Sequence, residues 1–426
     1  MIDIKFIREN KDKIKDNCLK RGVDLDIDEL LDLDEKRRKH VIRMEEISSR
    51  KNKASKVIAF AKKEDEKKQL ISQMKKLDKE GDRIKKELSG IRQKFEALIY
   101  MIPNLSLENV PFGKDESSNV VLKESGRKPR FKFEPKSYLE LSEKLDLVDV
   151  ERGAKVSGTR FAYLKNEAVL IEFAIIKLAF DVLAKQGFIP LIPPVLIKPE
   201  MMKGMGYIDS KKDREERYFL EKDNLFLIGT SEQAVGPMHK DEVFKEKELP
   251  KRYAAFSSCF REEAGSYGKD TKGILRVHQF DKVEMFSFSK PEDSEKEHRL
   301  ILSMEEKLMK LLKISYRVVQ LCSGDLSRPS ASTYDIESWL PGQNQYRETH
   351  SASNCTDFQA RRLNIRYRRE NGNKLEFVHT LNGTAFAIGR TLIAVIENYQ
   401  QKDGSVKMPA VLKKYLPFNL IKPKVK

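Results

Sequence analysis

The 426-residue chain is poor in cysteine: Cys18, Cys259, Cys322 and Cys355 are its four, and they lie far apart. No CxxC or short Cys/His spacing occurs, so the sequence implies neither a disulfide framework nor a zinc ribbon. A reducing cytoplasm is the simplest compartment for such a chain. No apolar run approaches the ~20 residues that a membrane span needs. The opening Met1-Ile2-Asp3-Ile4-Lys5 lacks an apolar stretch followed by small residues, so no secretory signal is expected. Internal repeats are absent too. Acidic residues are in deficit, with 66 Asp and Glu against 82 Lys and Arg, a net charge of +16. Such an excess suits a polyanionic partner, because cations that meet phosphates release condensed counterions; on charge alone a solvated basic surface is an equal reading. The length predicts two domains.

The first hundred residues carry a heptad pattern. Leu70, Met74 and Leu77, a gap at Gly81, then Ile84, Leu88, Ile91, Phe95, Leu98 and Ile102 recur at steps of four and three. A weaker seam precedes it: Leu30, Leu33, Arg37, His40, Met44, Ile47, Lys51, Ala54 and Ile58. Residues 61–68 read as a polar connection, so the two helices should fold back as an antiparallel hairpin. Pro103 ends the second helix. Between Asp34 and Glu96 stand 21 Lys and Arg against 12 Asp and Glu, a net of +9, so over half of the excess lies on this rod. Coiled-coil flanks usually balance in sign, and the imbalance points to nucleic acid.

Residues 104–135, rich in Pro, Gly, Ser and charge, read as a linker. Beyond about residue 137 helices and strands mix. The spacing predicts a helix over 167–186 ended by Gly187, strands at 188–192 and 280–288, and an apolar helix over 385–399. Four segments there carry more polar groups than packing requires. Gly229-Thr230-Ser231-Glu232 follows an apolar strand and could receive a ligand ammonium, although Ser/Thr before Glu also caps helices. Arg261-Glu262-Glu263, a long Gly- and Lys-containing loop, then Arg276-Val277-His278-Gln279-Phe280 form two strands with their connection. Arginine forks suit phosphate oxygens, and an aromatic ring suits a base; an ordinary hairpin with surface ion pairs is the alternative. Glu348-Thr349-His350-Ser351 sets a carboxylate and a hydroxyl three residues apart, a spacing that could hold Mg²⁺ or simply make a polar turn or strand edge. Arg390, in an apolar stretch, needs an anionic partner, either a core carboxylate or a nucleotide phosphate.

Taken together, these segments resemble the three signature motifs of class II aminoacyl-tRNA synthetases, and within that class the seryl-tRNA synthetases of bacterial type. The resemblance runs over essentially the whole chain, from Met1-Ile2-Asp3-Ile4-Lys5-Phe6-Ile7-Arg8-Glu9-Asn10 through the basic hairpin to the second region. The strand ending in Pro193-Pro194 resembles motif 1, which implies a homodimer interface with Pro194 as its signature proline. Arg261-x-Glu263 through Arg276-x-x-x-Phe280 resembles motif 2, and Gly389-Arg390 resembles motif 3. Residues 276–284 and 354–368, and Glu397-Asn398-Tyr399-Gln400, read almost as the family writes them.

The fold so implied is α+β: an N-terminal antiparallel coiled-coil hairpin in a tRNA-binding domain, residues 1–110, then a class II catalytic domain, residues 111–426, with a central antiparallel β-sheet flanked by helices. The implied reaction is ATP-dependent activation of L-serine to seryl-adenylate and transfer to the 3′ end of serine tRNA, gripped by the basic hairpin. Whether selenocysteine tRNA is also charged is left open. By the same resemblance, Arg261 holds the α-phosphate, and Glu263 and the Val277 backbone read the adenine edge. Phe280 and Arg390 sandwich the base, and Arg276 joins Arg390 at the γ-phosphate. Glu262, Thr349 and His350 complete the ATP-binding set, with Arg261 and Arg390 as the catalytic residues. Glu348 and Ser351 hold Mg²⁺. Thr230, Ser231 and Glu232 take the serine ammonium side, while Glu284 and Thr384 receive the serine hydroxyl. His350 stands where the family commonly has serine, Ala352 replaces a frequent cysteine, and Glu262 fills a variable slot. Zinc, used by methanogen-type enzymes of this specificity, is not expected. Three rivals remain. An enzyme that loads a carrier protein lacks the long basic hairpin. An inactive RNA-binding paralogue would not need Arg261, Glu263, Glu348 and Arg390. A synthetase for another amino acid is separated by amino-acid-dependent ATP–pyrophosphate exchange.

Overall fold

The computed structural model describes residues 1–60, 63–264, 270, 272–372 and 374–424. The chain divides into two compact units: Ile2–Leu19 with Val23–Ile102, and Met1, Lys20–Gly22 and Pro103–Lys426. No helix among the described residues is long and apolar enough to cross a membrane.

In the first unit, two short helices precede α1 (Ile27–Phe60) and α2 (Glu64–Met101), which pack on one another. The heptad seam is where the spacing puts it: Leu30, Leu33, Ile47, Ile84, Leu88 and Phe95 are buried. The gap at Gly81 faces Ile47, whose Cγ2 lies 3.8 Å from where a Cβ would stand. His40 meets Glu87 at 3.0 Å, Arg43 donates to Glu80 at 2.8 Å, and Lys51 pairs with Asp78, as an antiparallel register requires. Exposed ion pairs contribute about 0–1 kcal/mol each, against about 1.5–3 for a buried Leu or Ile, so the seam and not the charge holds the hairpin. Because α2 begins at Glu64, the connection is shorter than the 61–68 expected; Ala61 and Lys62 lie outside the described residues. One buried group escaped the heptad reading. Asp34 is fully buried and faces Arg37 at 2.7 Å, Arg38 at 3.2 Å and Arg8 at 3.3 Å.

The second unit is built on an eight-stranded sheet. Its strands are β1 (Val120–Ser125), β2 (Ile189–Leu191), β3 (Lys251–Phe260), β4 (Gln279–Ser289), β5 (Tyr316–Gln320), β6 (Ser332–Leu340), β7 (Gln345–Asn354) and β8 (His379–Ala387). They lie in the order β1-β5-β6-β7-β8-β4-β3-β2, antiparallel except for β2 beside β3. Helices α3 (Glu167–Ala184), α4 (Ser294–Leu312) and α5 (Ile388–Asn398) pack on it, and Ile171, Ile175, Ile301, Leu308, Leu392 and Ile396 join the sheet's apolar side chains in one core. Gly187, at φ +80°, closes α3 in the left-handed conformation expected of it. The fold is thus α+β, with the hairpin and the sheet in separate units.

Two expectations need correction. Residues 104–135 are not free linker: β1 pairs with β5, and the buried Asn104 donates to the carbonyls of Pro329 at 2.9 Å and Cys355 at 2.8 Å. Nor does the apolar helix begin at Ala385. Residues up to Ala387 finish β8, and α5 starts at Ile388; a continuous apolar run does not separate a strand end from a helix start.

Two strands carry an extra residue. Val283 and Glu284 of β4 face Phe386 and Thr384 of β8, which leaves Ala385 bulged. Ile336 and Glu337 of β6 face His350 and Glu348 of β7, which leaves Thr349 bulged. A bulge switches the side of the sheet to which later side chains point.

Candidate active site

One face of the sheet opens into a cavity of about 630 Å³. The alternation of β4 sends Phe280, Lys282 and Glu284 into it. From β7 come Glu348, Thr349, Ser351 and Ser353, and from β8 Asn382, Thr384 and Ala387. The parity changes from 348 to 351 and 353, and from 384 to 387, because of the bulges at Thr349 and Ala385. Arg390 enters from the first turn of α5, Arg261 and Glu263 from just beyond β3, Thr230 from the loop after the strand Leu225–Leu227, and Glu232 from the start of the short helix Glu232–Val235. Arg276 and Val277 also line the cavity. The four segments singled out in the sequence therefore meet at one place, although about 160 residues separate Thr230 from Arg390.

The polar groups are already arranged. Arg390 donates to the Glu348 carbonyl at 2.9 Å and pairs with its carboxylate at 3.2 Å. Burial alone would raise the Glu348 carboxyl, but Arg390, with Arg261 and Lys282 beyond, holds it below the ordinary value. Arg276 pairs with Glu263 at 2.7 Å. Glu263 sits at φ +51°, an uncommon conformation for a residue with a side chain and one that concentrates at functional sites. The Arg261 guanidinium lies 5.2 Å from the centre of the Phe280 ring, and its Nε donates to the Gly229 carbonyl at 3.2 Å. Thr384 donates to Glu284 at 3.4 Å, and Lys282 is ion-paired with the same carboxylate. Burial pushes the Glu284 carboxyl up to about 7 against the pull of Lys282.

The end of the cavity at Thr230 and Glu232 holds unmet acceptors. Tyr207 donates to one Glu232 oxygen, while the other, Oε2, is buried without a partner among the described residues, as is Thr230 Oγ1. Buried polar atoms of this kind cost stability unless something fills them.

Three residues expected in the site do not line the cavity. Ser231 is buried and donates to the Ala255 carbonyl at 3.4 Å. Glu262 is held through its backbone N–H by the Glu216 carbonyl at 3.3 Å. His350 is turned into the core by the Thr349 bulge, packed 5.8 Å from the Phe386 ring. Burial holds its imidazole down at about 4, so it is neutral. Gly265–Lys269 and Thr271, in the loop between the arginines, lie outside the described residues.

Conversely, Tyr207, Arg217 and Lys282 line the cavity without having been anticipated. Lys282 had a signal, since it alternates with Phe280 and Glu284 on one strand. Tyr207 and Arg217 come from a segment with no motif. Behind the sheet, Glu305 of α4 is wholly buried with neither oxygen in a completed hydrogen bond; burial, then Glu284, pushes its carboxyl well up.

Two family models match the chain: the seryl-tRNA synthetase N-terminal domain over residues 1–106 and the tRNA synthetase class II core domain (G, H, P, S and T) over 218–399. The serine–tRNA ligase of Dictyoglomus thermophilum is 46% identical over 427 residues, covering 100% of both chains. The solved seryl-tRNA synthetase of Pyrococcus horikoshii, complexed with ATP, superposes with a TM-score of 0.91 at 39% identity over 100% of both chains. A cytoplasmic serine–tRNA ligase of Naegleria fowleri in complex with AMP gives 0.85 at 32% identity, covering 100% of this chain and 99% of the other. With both domain models matched and full-length relatives well above 30% identity, the chain belongs to the seryl-tRNA synthetase family of class II aminoacyl-tRNA synthetases.

Proposed function

We propose that this enzyme joins L-serine to ATP in the cavity and transfers the seryl group from the adenylate to the 3′ end of serine tRNA, bound through the basic hairpin. The observation that carries the amino-acid end is the pair of buried, unpartnered acceptors Thr230 Oγ1 and Glu232 Oε2. An ammonium brings three donors and a positive charge to such a place. Across the cavity, Glu284 and Thr384 form a hydroxyl-sized polar pair, suited to the serine side chain.

The nucleotide end follows from the arginines. Arg261 stands between the Gly229 carbonyl and Phe280, where it meets an α-phosphate. Phe280 and Arg390 enclose the base, Glu263 and the Val277 backbone read its edge, and Arg276 with Arg390 receives the γ-phosphate. The serine carboxylate attacks the α-phosphorus and pyrophosphate leaves. No protein nucleophile is needed; the enzyme's part is to align the two substrates and neutralise developing charge with Arg261 and Arg390. The cavity-facing Glu348 carboxylate, half exposed, and the Ser351 hydroxyl offer the oxygen donors that Mg²⁺ prefers. When bound there, the ion supplies charge to the phosphate oxygens. The terminal tRNA hydroxyl then attacks the adenylate carbonyl, forming the seryl ester as the bond to the phosphate breaks and AMP leaves.

We further propose a homodimer. Leu170, Phe173, Ile189 and Ile192, near Pro194 in the sequence, leave an apolar surface exposed, with Ile192 at 77%. Sedimentation of the full chain tests it. The specificity is tested by ATP–pyrophosphate exchange with all twenty amino acids: serine supports exchange, and a different amino acid supporting it best refutes the reading.

A further inference from the structure

Arg21 follows the short helix Lys11–Lys20 and falls within the N-terminal domain model, yet Lys20–Gly22 belong to the compact unit built on the sheet. The residue is buried, and its guanidinium donates to four main-chain carbonyls. Nη1 reaches Asn104 at 2.8 Å and Ser330 at 3.0 Å, and Nη2 reaches Leu326 at 3.2 Å and Ser327 at 2.6 Å. Three of these carbonyls belong to one loop, 326–330, which joins β5 to β6. Converging carbonyls repel one another and, when buried, need donors; one planar fork of N–H groups supplies them together. The gathered loop is a wall of the cavity, since Ser327 lines it. Pro329 of the loop packs on Gly206, its Cβ 3.7 Å from where a glycine Cβ would stand, and the next residue, Tyr207, donates to Glu232. Arg328 pairs with Asp213 at 3.3 Å, in the short helix Lys211–Glu215. Just beyond that helix Arg217 lines the cavity, 5.4 Å from the Tyr207 ring. The loop therefore backs the end of the cavity that holds Thr230 and Glu232.

We propose that Arg21 is a positioning residue for amino-acid activation: by gathering loop 326–330 it fixes the wall against which Tyr207 and Arg217 are set, and through Tyr207 the Glu232 carboxylate. The inference rests on the pocket assignment proposed above, in which Glu232 receives the serine ammonium. A side chain borne by the N-terminal domain thus shapes the first half-reaction, in which tRNA takes no part. Without the fork the four carbonyls are left to part, and the loop moves with Ser327, Arg328 and Pro329. A supporting wall that shifts by a fraction of an ångström loosens the group it backs by more than a binding site tolerates.

The test is KM for serine and KM for ATP, each measured by ATP–pyrophosphate exchange with the full chain and no tRNA. Arg21→Met keeps a long unbranched side chain and removes every donor; serine KM rises about tenfold while ATP KM stays within about twofold of the parent. Arg21→Lys returns the charge and three donors without the fork, and its serine KM falls between the two. Arg328→Met cuts the tie to Asp213 and raises serine KM as well. Combined with Arg21→Met, the rise is smaller than the product of the two, because both act through one loop. A folded Arg21→Met enzyme with serine KM within about twofold of the parent overturns the proposal. So do an equal rise of both KM values, a fall in kcat with both KM values unchanged, and a full product in the double variant; the first two are what a merely loosened core produces. If Arg21→Met does not fold, Arg21→Lys decides: serine KM raised with ATP KM unchanged supports the proposal, and any other pattern overturns it. Thr384→Ala is the control for the underlying assignment, since it raises serine KM with ATP KM unchanged. Failure of that control takes down the pocket assignment, and this proposal with it; a sound control with flat Arg21 variants takes down this proposal only.

Discussion

The hairpin and the sheet bury acidic groups in opposite ways. In the hairpin, Asp34 is ringed by Arg8, Arg37 and Arg38, all within 3.3 Å, and the cluster carries more positive than negative charge. Under and around the cavity, Glu284, Glu305 and Asp335 are all pushed above the ordinary carboxyl range by burial, with Lys282 as the close cation at Glu284. A buried charge without compensation is costly, so a fold keeps one where something is gained by it. The hairpin's acid is structural cement for a rod. Of these acids Glu284 lines the cavity, where the serine hydroxyl is proposed to arrive, while Glu305 lies behind the sheet.

Substitutions can break this contrast. The largest effect is expected at Arg390. Arg390→Ala leaves the chain folded and removes charge-assisted bonds to the nucleotide, at about 2–4 kcal/mol of transition-state stabilisation in serine-dependent pyrophosphate exchange. Near-normal exchange would refute the assignment, and gross unfolding would make the Arg390–Glu348 pair a structural one. Next comes Asp34→Asn, which reverses the pattern. It loses charge-assisted hydrogen bonds in the hairpin at about 1.5–3 kcal/mol, read as faster amide hydrogen exchange over residues 27–60 of the full chain. Exchange of pyrophosphate stays at the parent rate, and a parallel loss there would contradict the separation of roles.

The exposed cations of the hairpin give a smaller, graded effect. Lys53, Lys56, Lys75, Lys79 and Arg83 are all exposed. Charge-neutralising substitution of any one that meets a phosphate should lower the slope of log affinity for tRNA against log salt by a bit under one unit, about 0.7–0.9. A salt slope unchanged after several such substitutions would remove the hairpin from tRNA binding. The smallest effect is at Glu305 and concerns stability. Its folded carboxyl is raised above the ordinary 4.5 by burial. The unfolded chain loses that proton near 4.5 while the folded chain keeps it, so the folded state binds more protons and stability falls as pH rises from there. Glu305→Gln removes this term: the variant matches the parent near about pH 4 and becomes the more stable of the two toward about pH 8, by thermal melting. A difference independent of pH would show that Glu305 is not held protonated.

Much of the molecule was legible before any coordinates. The heptad steps from Leu70 to Ile102 need only local periodicity, and a helix expresses that periodicity wherever it lies. Arg261, Glu263, Arg276, Phe280, Glu348, Ser351 and Arg390 were visible as polar groups out of place in apolar surroundings, and their resemblance to family motifs supplied roles. The misplaced elements share a cause. Val120–Ser125 looked like linker because an edge strand's pairing partner, β5, lies far along the chain. Ala385 was read into a helix because an apolar run has no phase of its own.

The sequence by itself determined the hairpin, the family and most of the residues that meet in the cavity, since each is written in local spacing or in motifs of adjacent residues. Tertiary structure decided which way those residues point. His350 leaves the cavity, and Ser351, Thr384 and Ala387 face it, because β7 and β8 each carry one extra residue relative to their neighbours. A bulge is a mismatch between two strands and belongs to neither alone. Tyr207 reaches Glu232 for the same kind of reason: the contact joins segments 25 residues apart, and only the packed fold brings a phenol to a buried carboxylate.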